Sequence, residues 1–286
     1  MRRRDFLKAI TAGLILSNVD PFSFASAVQL FPHPQRGYQS DFDGHIKDYL
    51  HKMKNFDVPH SGDIYLEKNQ VPLLHTCAAR LKRLQRTVGH GNFHLLSFDD
   101  GLAIARNYSK VGRFAKQELD FLEKIFYTDS ATYGFWGDKP INNMTTRINK
   151  REVVKIPKSG NYLYRGASHE MYEKVRKQIG NKLYLTSGIR GVMKQFFLFL
   201  YKADKYKGNL SLASRSLAPP GYSFHGIADF DVGQIGYGAL NFTGNFTATE
   251  VFKKLDALEY IRIRYPKNNL KGVRFEPWHI KVYPGA

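Results

Sequence analysis

A single cysteine, Cys77, excludes any intrachain disulfide. It falls on an apolar helical stripe with Leu73, Leu74, Leu81 and Leu84, the place of a buried filler rather than a reactive thiol. Outside the first turns of the chain there is no run of about 18 apolar residues, so no transmembrane helix is expected. No internal repeat, low-complexity tract or known RNA- or DNA-binding motif is visible, and no H-E-x-x-H helix supports the zincin class of protease. Acidic residues are also scarce: 25 Asp and Glu face 43 Lys and Arg, a net charge of +18. Such an excess attracts polyanions, whether nucleic acid, anionic headgroups or the polymers of a cell envelope. The apolar content is ample for a packed core, with 43% hydrophobic and 14% aromatic residues over 286 positions.

The N-terminus favours the envelope among those partners. "MRRRDFLKAITAGLILSNVDPFSFASA" has a basic start, a short apolar stretch from Ala9 to Leu16 and a small-x-small end at Ala25-Ser26-Ala27, the pattern of a signal peptide. Arg3-Arg4-Asp5-Phe6-Leu7-Lys8 resembles the twin-arginine export signal. Residues 1–27 are therefore expected to be removed, leaving a mature chain of net charge +16, periplasmic or otherwise exported to a bacterial envelope, with no transmembrane segment and no nucleic-acid partner.

From Asp43 to about Asp129 the periodicity is helical, and three helices are expected: a short one near His45–Met53, one over about Pro72–Val88 ending at Gly89, and one carrying Phe114, Leu119, Leu122 and Phe126. "SFDDG" at 97–101 reads as a helix cap. "REVVKIPKSGNYLYRG" opens a strand-and-turn region. Beyond it come a helix from about Ser168 to Gly180, the strand "KLYLTS", a helix with Met193, Phe196, Phe197 and Leu200, and a strand around "IADFDV". A helix opened by the capping box Thr247-Ala-Thr-Glu250 comes next, and the strands "YIRIRY" and "VRFEPWHIKVY" close the chain. The expected fold class is α+β, an antiparallel sheet with flanking helices preceded by a mainly helical N-terminal region. The expected division is 1–27, a helical region 28–154 of unassigned role, and a catalytic domain over 155–286.

In "VRFEPWHIKVY" a carboxylate, Glu276, precedes His279 by three. In a regular strand residues three apart point to opposite faces, so the pair reaches one site only if Pro277 bends the chain. Two other stretches carry chemistry: "LTSGIRGVMKQ" (185–195) and "SLAPPGYSFHGIADFDVG" (216–233). The three blocks, in this order, resemble the VanY-type D-alanyl-D-alanine carboxypeptidases, zinc peptidases of family M15 in the LAS group. Their pattern is S-G-x-R-x-x-x-x-Q, then P-G-x-S-x-H-x-x-G-x-A-x-D, then Y-P and E-P-W-H.

The resemblance implies an LAS-type catalytic domain holding Zn2+ through His225, Asp231 and His279. It also implies Glu276 as general base, Arg190 facing the developing oxyanion, Gln195 and Ser223 against substrate or supporting the site, and peptidoglycan stem peptides as substrate. The residue types agree with this, since two histidines and an aspartate suit a hydrolytic zinc that keeps a fourth position for water. One departure stands out. The family aspartate follows the first histidine by seven, whereas "HGIADFDVG" offers Asp229 at four and Asp231 at six. The ending "DVG" selects Asp231, with Asp229 as a supporting or substitute ligand. The shortened segment also motivates a rival reading, a catalytically silent module that binds peptidoglycan without cutting it. "HGNFH" sets His90 and His94 four apart, but no carboxylate partner accompanies them.

Overall fold

The structure, a computed structural model, describes residues 36–283, with side chains from 45 onward. The signal-like segment 1–27 lies outside the described residues. The chain divides into two compact units between Asp48 and Tyr49. In the first, the described residues are the opening turns of helix α1 (Arg36–Lys54); the second holds the remaining elements.

Helix α2 (Val71–Val88) starts with Pro72, whose missing N–H costs nothing in a first turn, and stops at Gly89, where φ is +85°. Its three-and-four spacing buries Leu74, Cys77, Ala78, Leu81 and Leu84. After the single turn α3 (His90–Phe93) comes a helix the periodicity did not single out, α4 (Phe98–Asn107). The cap read at "SFDDG" is its start: Ser97 Oγ accepts the Asp100 N–H at 3.2 Å. Helix α5 (Lys116–Tyr127) buries Phe121, Leu122, Ile125 and Phe126, while Phe114 packs just ahead of it.

Strands β1 (Val153–Lys155) and β2 (Tyr162–Tyr164) form a small antiparallel pair. Then come α6 (Ala167–Ile179), β3 (Leu183–Ser187), α7 (Val192–Lys205), α8 (Leu210–Ser214), β4 (Phe230–Gln234), α9 (Glu250–Asp256) and β5 (His279–Ile280). Strands β3, β4 and β5 make an antiparallel sheet with β4 in the centre. The α+β class with antiparallel pairing is as expected.

Three local expectations are corrected. "YIRIRY" forms only an isolated bridge between Ile263 and Ile280, because Pro266 follows and cannot donate to a ladder. "VRFEPWHIKVY" is a strand only over His279–Ile280; before it the chain turns, the His279 N–H donating to the Glu276 carbonyl at 3.1 Å with Pro277 and Trp278 in the turn. Helix α9 is capped by Thr249, whose Oγ accepts the Phe252 N–H, and not by Thr247.

Apolar side chains gather in two main clusters. One joins α2, α4, α5 and α7 around Leu81, Phe126, Phe196 and Phe199 and includes residues on both sides of position 155. The other packs α6 and α9 against the sheet through Tyr172, Val175, Phe230, Val232, Phe246, Val251, Trp278 and Ile280. Each such side chain contributes about 1.5–3 kcal/mol on burial, which makes the strand ends a stiff frame for polar groups. No described helix is long and apolar enough to cross a membrane.

Candidate metal centre

Strand pairing places the first two residues of the site. Asp231 in β4 lies opposite Ser187 of β3 on one side and opposite His279 of β5 on the other. A register shift between Leu185 and Ser187 sets off this last pair of the β3–β4 ladder from the others. His225 arrives from a separate element, a 3-10 turn over Phe224–Gly226, so its even spacing from Asp229 and Asp231 is not that of a regular strand.

His225 Nε2 and Asp231 Oδ1 are 3.2 Å apart, and His279 Nδ1 is 3.8 Å from the same oxygen. These three ligand atoms lie within 4.8 Å of one another, all on buried residues, the one such group among the described residues. His90 and His94 do not join any; His90 is exposed, and burial pushes His94 down to about 3, with Lys194 and Arg190 adding to the shift.

Each imidazole is oriented from behind. His225 Nδ1 donates to the Gly188 carbonyl at 2.8 Å, which leaves Nε2 as the acceptor facing Asp231. His279 Nε2 faces Asp229 Oδ2 at 3.1 Å, so Nδ1 points to Asp231 and to Glu276 Oε2, the latter at 3.1 Å. Asp229 has no free oxygen: Arg264 donates to both at 2.6 and 2.8 Å, and the Val282 N–H donates to Oδ1 at 2.9 Å. Arg264 was not legible as a site residue. Its one signal was alternation in "YIRIRY", which sets two arginines against two isoleucines.

Electrostatics separate the two histidines. Burial and the nearby Arg190 charge hold His225 below its ordinary value. Burial also opposes charge on His279, but hydrogen bonds to Asp229 and Glu276 overcome it and raise the ring to about 9. Burial would raise both aspartates. His279 and Arg264 instead hold Asp229 at about 2, and His225 and Arg190 hold Asp231 well below the usual carboxylate range.

A cavity opens onto these groups, lined by Arg190, Gln195, Ser223, His225, Glu276 and His279 with Leu198, Leu217 and Tyr265. Arg190 Nε donates to Ser187 Oγ at 2.9 Å and Nη2 to Asp231 Oδ2 at 2.6 Å, while Nη1 has no partner among the described residues. Gln195 is bonded at both ends to backbone, from Nε2 to the Arg190 carbonyl at 2.7 Å and from the Gly221 N–H to Oε1 at 2.8 Å. The Ser223 hydroxyl has no partner among the described residues. Of the seven residues singled out in the sequence, six line this cavity, and the seventh, Asp231, lies against three of them, Arg190, His225 and His279.

The donor set fits a divalent cation. His225 Nε2 and Asp231 Oδ1 are fully buried, and apart from each other at 3.2 Å neither has a hydrogen-bond partner; buried polar atoms are rarely left so without an ion or water to satisfy them. Two imidazoles and one carboxylate are also the ligand types of open, hydrolytic zinc sites.

An α+β domain with a His-Asp-His group at the end of its central strand is the class that fold and site define. Residues 164–285 match the family model described as VanY, D-alanyl-D-alanine carboxypeptidase. The resemblance carried by the three motif blocks therefore holds over that segment, which contains all seven residues singled out in the sequence. Among solved structures the chain is similar to one titled as the LdcB LD-carboxypeptidase, revealing the molecular basis of peptidoglycan recognition. The identity is 22%, with 51% of this chain and 66% of that one covered and a TM-score of 0.36. The chain thus spans slightly under two thirds of that protein. No curated protein matches the chain.

Proposed function

We propose that the chain is an exported zinc peptidase that hydrolyses the stem peptides of peptidoglycan, as a D-alanyl-D-alanine carboxypeptidase does. The observation that carries this reading is the buried, partnerless pair His225 Nε2 and Asp231 Oδ1, converging with His279 Nδ1 inside a segment matched by that family. Zinc held by these three residues supplies Lewis acidity and brings the pKa of water down towards about 7.

The chain's own groups do the rest. The Gly188 carbonyl and the Asp229 carboxylate fix the two imidazoles so that His225 Nε2 and His279 Nδ1 are both aimed at Asp231 Oδ1. Glu276, 3.1 Å from His279 Nδ1 and on the cavity wall, takes the proton of the attacking water and returns it to the leaving amine. Arg190 is pinned through Nε and Nη2, so its Nη1 donors face the developing oxyanion without having to reorganise. Ser223 offers a free hydroxyl to the substrate, and Gln195 braces the two loops that carry Arg190 and Gly221. The basic charge of the chain suits an anionic envelope polymer, and the signal-like N-terminus suits that location.

Defined muropeptides incubated with the zinc-loaded mature chain test the proposal. Mass analysis is expected to find stem peptides shortened at the C-terminal side; intact peptides after prolonged incubation with an enzyme holding one zinc would overturn it.

A further inference from the structure

Trp136 leaves 50% of its surface exposed, although a side chain of that size ordinarily buries most of it. Its ring stands 6.1 Å from that of Tyr49, tilted by 43°, and both line a cleft with Ile64, Thr132 and Arg215. The cleft is rigid. Tyr49 Oη donates to the Asn269 carbonyl at 2.9 Å and accepts the Gly272 N–H at 3.2 Å, and the Trp136 backbone amide donates to the Lys271 carbonyl at 2.9 Å. At the floor Arg215 is paired with Asp63 at 2.7 Å, so that the buried charges there cancel.

The cleft adjoins the candidate catalytic cavity. Arg215 lines the one and its neighbour Ser216 the other. The segment that holds Tyr49 and Trp136 through Asn269, Lys271 and Gly272 runs on, bonded by Arg274 N–H to the Arg215 carbonyl at 2.9 Å, into Glu276. A flat, half-exposed indole beside a second ring, with polar groups and Lys52 in the lining and the Arg215 and Asp63 charges paired at the floor, suits a ligand with flat apolar faces and a polar rim. A pyranose ring has that character: its C–H groups stack on an aromatic face while its hydroxyls and amide stay solvated at the edge.

We infer that the Tyr49–Trp136 cleft binds the glycan strand to which the stem peptide is attached, an N-acetylated hexosamine stacking on Trp136 while the peptide enters the neighbouring cavity. The choice of ligand rests on the proposed peptidoglycan substrate; the site itself rests on the geometry of the cleft. It gives the helical region before residue 155 a role in holding the polymer.

The experiment uses the mature chain and a peptide-free probe, the tetrasaccharide of N-acetylglucosamine. The two tryptophans are Trp136 and Trp278, and Trp278 is buried, so a change in intrinsic fluorescence on titration reports on Trp136. Trp136→Ala is expected to weaken binding, measured by calorimetry, by at least about tenfold, the loss of one anchoring aromatic. Trp136→Phe keeps a flat face and the fold, and is expected to retain most of the affinity. No binding by the wild type would overturn the inference, as would equal affinity in wild type and Trp136→Ala, or equal loss in Trp136→Ala and Trp136→Phe. A wild-type chain whose oligomeric mass falls on Trp136→Ala while glycan binding stays unchanged would assign the cleft to a second copy and likewise overturn it. Cleavage of a free stem peptide by the wild type is scored separately: glycan binding without cleavage leaves the cleft standing and removes the catalytic reading, and cleavage without glycan binding does the reverse.

Discussion

Asp229 meets His279 at Nε2, across the imidazole from the Nδ1 that faces Asp231. Two aspartates separated by one phenylalanine thus address opposite edges of a single ring, and their other contacts set them apart. Asp229 is saturated by Arg264 and the Val282 N–H, whereas Asp231 keeps a buried oxygen with no hydrogen bond.

This arrangement fixes the expected result of removing either one. Asp231→Ala should lose zinc, leaving two imidazoles that hold it poorly. Asp229→Asn should keep the metal with an affinity lowered by about 10–100-fold, the usual cost of disturbing a group that orients a ligand. Metal analysis of the two purified variants checks this, and the opposite pattern would exchange the roles of the two carboxylates.

Gly188 is where backbone and candidate metal centre meet. A Cβ there would lie 2.0 Å from the Tyr162 carbonyl oxygen, so an alanine forces the backbone to move, and the Gly188 carbonyl that orients His225 moves with it. Gly188→Ala is expected to lower the melting temperature by several degrees and zinc affinity by about tenfold or more. Zinc titration with a competing chelator gives the second quantity, and unchanged affinity would show that the His225 tautomer is held in another way.

The pattern of the fold was largely legible, and the reasons for the misses are physical. Apolar spacing located α2, α5, α6 and α7 because each buries one face on a large core. It overestimated the closing strands because Pro266 and Pro277 interrupt pairing, and a hydrophobic run of this length does not distinguish a strand from a buried turn. The same Pro277 explains how Glu276 and His279 reach one site. The sequence required a bend, and the structure supplies a hydrogen-bonded turn. The candidate ligand residues stood out through ordered motif blocks, but Arg264 and the Gly188 carbonyl did not, since what they contribute depends on tertiary contact rather than residue type. The Tyr49–Trp136 cleft was likewise hidden, its two rings being 87 positions apart in the sequence.

The Arg215–Asp63 pair is buried, and Arg215 also donates to the Phe56 and Val58 carbonyls. Asp63→Asn leaves the guanidinium without its counter-charge, and a loss of about 3–5 kcal/mol is expected for a broken buried pair. Burial would raise Asp63, but hydrogen bonds from Arg215 and Asn209 outweigh it and lower the carboxyl. The stabilisation is therefore complete above the unfolded value near 3.9 and lost as pH falls through the lower native value. Denaturant melts from pH 7 to pH 2 should show the gap between wild type and variant closing at the acid end; a gap independent of pH would contradict the pairing.

Cys77 is fully buried, and burial followed by the charge of Glu118 pushes its thiol up to about 12. Alkylation by iodoacetamide at pH 8 is expected to be undetectable in the native chain and complete after denaturation. Rapid labelling of the folded protein, followed by mass measurement, would place the thiol at the surface instead.

Glu276→Gln separates a proton carrier from a structural carboxylate. The amide keeps the size of the side chain and can still bond His279, so fold and zinc content should be preserved, but it takes no proton at neutral pH. If Glu276 is the general base, turnover of a defined muropeptide falls by at least about 10²-fold. If its purpose is to hold His279 and to balance Arg274, whose Nε lies 4.0 Å from Oε1, melting temperature and metal affinity shift while the rate of the zinc-loaded enzyme is kept. Zinc content, melting temperature and product mass measured on the same two preparations tell these apart, because only loss of the proton carrier lowers the rate with the other two quantities unchanged.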